Sequence, residues 1–316
     1  MQTSSNIQPI VSIGMPVFNC AGTVAQAICS ILNQTVEDWE LLIIDDGSTD
    51  NTLEIAASFD DPRISVTRGE ENKGLPARLN ECVSRARGKY FERMDQDDIA
   101  YPGRLQHQLE FLQSHPEVDL AGGWVVVFRN DGTAFGVRRG PLTHEQICAH
   151  PWNSIPMAHP TWMGKLEWFR RNPYRTDAPR QKFDTQDQDL LLRTHQKSRF
   201  AIVPEIVLGY RENSLSLSKI LYARRDMCKT MVRVAREQHR FMTAALGIGT
   251  LIAKGLVDIF AISTGMKYHI LRHRATALRD EEEIEWRAVW EQVRLTSDRL
   301  LADCKLLSNT PHSTPV

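Results

Sequence analysis

A short apolar strand that runs straight into three carboxylates constrains this chain more than any other stretch. Tyr90 to Met94 reads as the strand, and Asp95-Gln96-Asp97-Asp98 is its tip. Aspartates avoid strand interiors, so a strand ending on Asp-x-Asp-Asp presents charge at the carboxyl edge of a sheet. Asp95 and Asp97 stand two apart, which in extended chain puts both side chains on one face. Two carboxylates on one face repel unless a cation lies between them. Hard divalent cations, Mg²⁺ or Mn²⁺, take oxygen ligands, and Mg²⁺ is commonly held by one or two carboxylates plus substrate phosphates. A turn with a helix cap is the plainer reading of the same residues. It is accepted for Asp98, which precedes the next helix, and not for Asp95 and Asp97.

The segments before this strand alternate in type. Apolar runs at Ile10–Met15, Glu40–Ile44 and Ile64–Thr67 predict strands, and helical spacing returns over Gly22–Gln34, Asn51–Phe59 and from Asn72 to about Arg87. Strand and helix alternating with short gaps predict an α/β fold with a mostly parallel sheet covered on both faces. Ligands of such sheets lie beyond the carboxyl ends of the strands, so the loops after Met15, Ile44 and Met94 are expected on one rim. After Pro102 a helix carries Leu105, Leu109 and Leu112. Asn130-Asp131-Gly132 marks a hairpin, Phe200–Val203 and Ile206–Tyr210 read as closing strands, and only helices are expected from Lys219 onward.

Composition narrows the function. At 316 residues and 42% hydrophobic, the chain can bury one large core or two modest ones, and a net charge of −1 gives no global basic field for nucleic acid. The six cysteines are scattered, without zinc spacing, which favours reduced thiols. The first residues lack a basic region followed by an apolar run, so no secretory leader is expected.

The second strand ends in Asp45-Asp46-Gly47-Ser48-Thr49-Asp50. Adjacent carboxylates on extended chain point to opposite faces; one of the two is expected to accept hydrogen bonds from a ligand. The same letters are also good turn and capping chemistry, and Asp50 is assigned no more than that. Pro16-Val17-Phe18-Asn19, this acidic turn, Asn72-Lys73-Gly74 with Asn80, and Arg93-Met94-Asp95-Gln96-Asp97-Asp98 occur in that order. In content and spacing the set resembles family 2 glycosyltransferases with the Rossmann-like GT-A fold, over roughly residues 9 to 215.

The resemblance implies transfer of a sugar from a nucleotide-diphosphate donor, UDP-linked by expectation, with inversion at the anomeric carbon. It implies that the Pro16–Asn19 loop and Asp46, beside Asp45, hold the nucleoside, with Lys73, Gly74 and Asn80 in the same donor site. Asp97 becomes the metal ligand and Asp95 sits on the ribose side, near enough to share the metal. Such enzymes often carry Glu-Asp at a helix start where Gln186-Asp187 stands here, which makes Asp187 the base; the usual supporting Glu is replaced by Gln186. A helix N-terminus favoured electrostatically by Asp184, Asp187 and Asp189 is the alternative. His159-Pro160-Thr161 resembles the family's acceptor-side segment, although a lone His is more often structural. Arg211 suits either the donor diphosphate or a surface ion pair.

The expected organisation is a disordered start (1–9), a catalytic domain (10–215, nucleotide-binding half 10–100, acceptor half 101–215), an all-helical C-terminal extension (216–307) and a disordered tail (308–316). Residues 219–279 hold twelve Lys or Arg against three acids. Within them Ala244–Ser263 is mostly apolar, interrupted by Lys254 and Asp258 one turn apart. A pair formed by those two argues against a free membrane span. An apolar helix flanked by Arg-rich helices suits contact with an anionic membrane, and a helix packed on the catalytic domain satisfies the same pattern. The expected setting is the cytoplasmic side of the cell membrane, with a saccharide or lipid-linked saccharide as acceptor. A phosphatase would need a nucleophile and acid pair that this strand lacks, and a nucleotidyltransferase a Gly-rich basic loop absent from Pro16–Gly22. A sugar-nucleotide-binding protein without catalysis is the non-enzyme alternative.

Overall fold

The structure, a computed structural model, describes residues 8–176, 185–212, 217–264 and 275–303. Of the expected disordered ends, residues 1–7 and 308–316 lie outside it, as does the expected domain boundary at 215. In its first part β1 (Val11–Val17), α1 (Val24–Leu32), β2 (Trp39–Asp45), α2 (Thr52–Ala57), β3 (Ile64–Arg68), α3 (Leu75–Arg85) and β4 (Tyr90–Arg93) alternate. Every residue of β1, β2 and β4 is buried. Helices on both faces explain this: Ile13, Met15 and Ile43 pack with Val24 and Ile28 of α1, whereas Leu42, Ile44 and Phe91 pack with Leu79 and Val83 of α3. The parallel register sets Val17 opposite Asp45, so β1 and β2 finish level; it sets Gly14 opposite Arg93, so β4 stops three residues short and the acidic loop after it runs on to the same rim.

β5 (Ile99–Ala100), α4 (Arg104–Ser114), β6 (Leu120–Phe128), β7 (Ala134–Arg138), α5 (His144–Ile147), β8 (Met163–Lys165), α6 (Leu166–Arg171), α7 (Gln186–Thr194) and β9 (Phe200–Arg211) follow. The strand order is β3-β2-β1-β4-β8-β6-β9-β5, with β7 on β6. The parallel pattern holds from β3 through β4. β8 then runs antiparallel to both β4 and β6, β9 returns parallel to β6, and the sheet is mixed. The two expected closing strands are one strand, β9. Val203 pairs with Gly123 and Ile206 with Trp124, so Pro204 and Glu205 are left out of the ladder. Proline has no N–H to give, and the pairing skips it.

Among the described residues three helices follow: α8 (Leu217–Gln238), α9 (Phe241–Ser263) and α10 (Asp280–Asp303). Met227, Met231 and Val234 of α8 pack between Leu192 of α7 and Leu251 of α9. Trp286 of α10 is buried against Phe128, and its indole N–H donates to the Gly132 carbonyl at 2.8 Å. One expectation is corrected here. Asp258 does not pair with Lys254; it is buried on α8, where Arg224 Nε lies 3.0 Å from it, and Lys254 is exposed. Helical spacing makes positions 254 and 258 neighbours, but a neighbouring helix supplied a stronger partner, the bidentate guanidinium. Packing and openness therefore coexist: Ala244, Leu251 and Asp258 face α8, while Leu246, Leu256 and Phe260 remain exposed. Of the basic series, Lys267, Arg272 and Arg274 lie outside the described residues.

Candidate active site

The rim formed by β1, β2 and β4 carries a cleft of about 250 Å³, lined by Pro16 and Val17 at the end of β1, Phe18 just after it, Asp46 after β2, and the acidic loop after β4. That loop is not extended beyond Met94. A turn at Gln96-Asp97 folds it back, and carboxylate oxygens of Asp95, Asp97 and Asp98 all come within 4.8 Å of one another. The reading of Asp98 as a helix cap is corrected: α4 starts six residues later behind Gly103, and Asp98 joins the cluster. Its Oδ1 accepts the Arg211 N–H at 2.9 Å, and its buried Oδ2 has no hydrogen-bond partner among the described residues.

Charge is crowded here. Burial, and then the Asp95 charge, push the Asp97 carboxyl up to about 6, against the pull of Arg211 and Arg93. Burial likewise holds Asp98 well above the usual carboxylate range, with Asp95 and Asp97 adding to it. Asp95 is paired with Arg93. Three hard oxygen donors, one of them an orphaned buried oxygen, match what Mg²⁺ or Mn²⁺ requires. Asp97 and Asp98, with Asp95 beside them, are the residues that would hold the ion.

The opposite end of the cleft is organised by Asp46. Its carboxylate accepts the backbone N–H groups of Lys73 (2.7 Å) and Gly74 (2.8 Å) and the Nε of Arg78 (2.7 Å). Gly74, at φ +86°, turns the chain so that both N–H groups reach it. Four lone-pair sites and three donors leave this carboxylate able to accept one more hydrogen bond. Asp45 points the other way, accepting from the N–H groups of Gly47 and Ser48 to close the turn. Arg78 lines the cleft and was not identified from sequence; its position one helical turn past Gly74 was the available signal.

The remaining predicted donor residues divide. Gln96, unremarked in the sequence, clasps Phe18: its Oε1 accepts the Phe18 N–H at 2.6 Å and its amide donates back to the Phe18 carbonyl. Asn19, at φ +47°, accepts from the Thr49 N–H and gives its own N–H to Ser48, so it fastens the β1 loop to the β2 loop. The Lys73 side chain is exposed, 3.8 Å from Glu71. Asn80, expected in the donor site, has its amide taken up on both sides by the Tyr174 backbone and is not among the residues lining the cleft. Arg211 does line it. Its Nε donates to the Asp97 carbonyl at 2.6 Å, and its guanidinium lies over the rings of Phe128 and Trp290. It thus braces the acidic loop rather than forming a surface ion pair.

Asp187 sits in the first turn of α7, half-buried and outside the lining of this cleft. Burial raises its pKa, while the N–H and amide of Gln188 and the charge of Arg93 lower it. Arg93 acts on Asp187 and Asp95 alike, which links the two regions electrostatically. Asp184 lies outside the described residues. His159 is buried, with Nε2 2.9 Å from the Tyr174 hydroxyl and its ring against Trp162. Burial, with Arg93 nearby, holds its pKa well below the usual value. Both contacts are packing contacts within the fold.

Residues 12–175 match the family model for glycosyl transferase family 2. A putative glycosyltransferase of Bacillus subtilis, EpsE, is 37% identical over 66% of this chain and 75% of its own. The Escherichia coli UDP-Glc:alpha-D-GlcNAc-diphosphoundecaprenol beta-1,3-glucosyltransferase WfgD is 33% identical over 44% of this chain and 54% of its own. Among solved structures, S. aureus TarS 1–349 in complex with UDP-GlcNAc superposes with a TM-score of 0.58 at 15% identity, over 92% of this chain and 83% of that one. A mannosyltransferase of Pyrobaculum calidifontis, in complex with GDP-Man and Mn²⁺, gives 0.55 at 15% identity over 94% and 88%. At such identities the structural likeness is one of fold, and the fold is GT-A-like.

Proposed function

Since the chain belongs to glycosyl transferase family 2 and is a glycosyltransferase, we propose that it moves a hexose from a UDP-linked donor to a saccharide or lipid-linked saccharide acceptor. The transfer is metal-dependent and inverting, and serves surface polysaccharide synthesis on the cytoplasmic side of the membrane. One observation carries this reading: a single cleft has the Asp46–Arg78 corner at one end and the Asp95–Asp97–Asp98 cluster at the other. The similarity to WfgD, a UDP-Glc transferase, and to TarS in complex with UDP-GlcNAc supports the choice of nucleotide.

Pro16, Val17 and Phe18 give the base an apolar wall, and the unfilled acceptor site on Asp46 suits a ring N–H. The ribose then lies toward Asp95 and the diphosphate toward Asp97 and Asp98. When bound, Mg²⁺ or Mn²⁺ supplies charge neutralisation for the departing diphosphate. Arg211 holds the carbonyl of Asp97 and so fixes the loop on which that chemistry depends. Asp187 takes the proton of the acceptor hydroxyl; its raised pKa makes it a better proton acceptor than an exposed aspartate.

The test is a panel of UDP-sugars and GDP-mannose with Mn²⁺, read by nucleotide release, with product anomeric configuration read by proton NMR. Asp187→Asn should lower turnover by about 10²–10⁴-fold and leave UDP affinity unchanged. Turnover that survives in that variant removes Asp187 from the mechanism. GDP-mannose used in preference to every UDP-sugar removes UDP.

A further inference from the structure

A second cavity, of about 1040 Å³, opens between the N-terminal turn of α7 and the flank of α8. Arg225, Lys229, Arg233 and Arg236 line it from α8, at spacings that put all four on one helix face, and Arg175 faces them. The wall carboxylates Asp189 and Glu237 are both paired with Arg175, at 3.2 and 2.5 Å. Lys229 pairs with Asp226, whereas Arg225 and Arg236 have no ion-pair partner among the described residues. Cations outnumber carboxylates, so the cavity calls for an anion with several oxygens.

Two neighbours say what that anion is attached to. Gln186 also lines the cavity, and its Oε1 has no hydrogen-bond partner among the described residues. It adjoins Asp187 in the chain, so a hydroxyl-bearing group bound by its amide would lie near the proposed base. Ile248 of α9 forms another part of the wall. The stretch Phe241–Phe260 of that helix has a mean hydropathy of 1.5 and is only 28% buried. Met242 is 82% exposed and Leu246 72%. Monomeric soluble proteins rarely leave so continuous an apolar face open to water, and this one borders a cationic cavity. Hydroxyl acceptor, cationic wall and apolar helix together complement an amphiphile with a sugar, a phosphate link and a hydrocarbon chain.

We propose that this cavity receives the diphosphate of a lipid-linked saccharide acceptor, with the hydrocarbon lying along α9 and the sugar directed toward Asp187. The proposal rests on the transferase reading above. Its test measures binding to the full chain in EDTA, so that no divalent cation supports phosphate binding in the donor cleft. The probes are geranylgeranyl diphosphate, geranylgeraniol, inorganic pyrophosphate and phosphatidylglycerol vesicles, each with the wild type and with Arg225→Gln/Arg236→Gln. The prenyl diphosphate should bind at least about tenfold tighter than pyrophosphate or the prenol, and the double variant should lose about tenfold of that affinity. UDP binding with Mn²⁺, read in parallel, should be the same in both proteins; its absence from both counts against the transferase reading, separately from the prenyl result. Equal affinity of wild type and variant for the prenyl diphosphate overturns the proposal. So does pyrophosphate binding as tightly as its prenyl ester, which makes the cavity a free-anion site. Binding to vesicles that the prenyl diphosphate does not displace assigns the surface to bulk membrane and overturns it as well.

Discussion

Asp98→Asn separates a metal ligand from a structural carboxylate, because the two roles predict opposite changes in stability. In the metal-free protein the cluster repels itself. At the 4.8 Å limit of the cluster and an effective dielectric of about 20, each fully charged pair opposes folding by about 3 kcal/mol. Asp98 carries only part of that charge, since burial and its neighbours hold its pKa well above the usual carboxylate range. Relief on neutralising it is therefore about 1–2 kcal/mol. The substitution keeps Oδ1 as acceptor for the Arg211 N–H, so the 2.9 Å bond need not be lost. The metal-free variant should unfold about 2–6 °C higher than wild type in differential scanning fluorimetry at pH 8 with EDTA. With Mn²⁺ the order reverses. Wild type gains about 2.7 kcal/mol at a hundredfold excess over its Kd, and the variant, with one ligand oxygen and one charge fewer, gains less. A variant that melts lower without metal, and is stabilised by Mn²⁺ as much as wild type, would refute the reasoning and leave Asp98 as a brace for Arg211 alone.

Three further expectations concern the frame around the site. Arg104 and Glu92 are both fully buried and paired at 2.9 Å beneath the acidic loop; Arg104→Met should destabilise by about 3–5 kcal/mol in urea unfolding, with Glu92→Gln recovering part of the loss, and strictly additive effects would deny the pair. Trp286→Ala should cost about 3–5 kcal/mol through the cavity it leaves against Phe128, and an unchanged urea midpoint would mean that α10 is not part of the folded core. His159 stays neutral in the fold while an unfolded histidine takes up a proton near pH 6.5, so stability is full above that pH and falls as the solution is acidified below it, by at most about 1.4 kcal/mol per unit. His159→Gln should flatten the urea midpoint between pH 6.5 and 5, and an undiminished slope would assign the acid sensitivity to other histidines.

Much of the donor half was legible because its order is local. β1 and β2 are mostly apolar runs buried on both faces, and β2 and β4 end where acids begin, so Val17 and Asp46 meet by register and the loop after β4 carries Asp95 to the same cleft. What escaped depends on residues distant in the chain. Asp98 looked like a cap because a turn, which the letters Gln-Asp-Asp do not announce, returns it to Asp95. Gln96 acquires its partner 78 positions away, at Phe18. Asn80 belonged to the ordered motif, yet its amide meets a backbone 94 positions on. Asp258 found Arg224 rather than Lys254 because helical spacing describes one helix and says nothing of its neighbour. The insertion of β8 between β4 and β6 is of the same kind: a three-residue strand carries too little pattern to reveal its partners.

The central claim is that a divalent cation on the carboxylate loop and a nucleotide share the cleft between Asp46 and Asp97. Calorimetric titration of UDP into wild type with Mn²⁺, into wild type with EDTA, and into Asp97→Asn with Mn²⁺ tests it most directly. The account predicts binding that EDTA weakens by at least about tenfold, the equivalent of 1.4 kcal/mol, and that Asp97→Asn weakens to the same extent. UDP binding indifferent both to the metal and to Asp97 would contradict it.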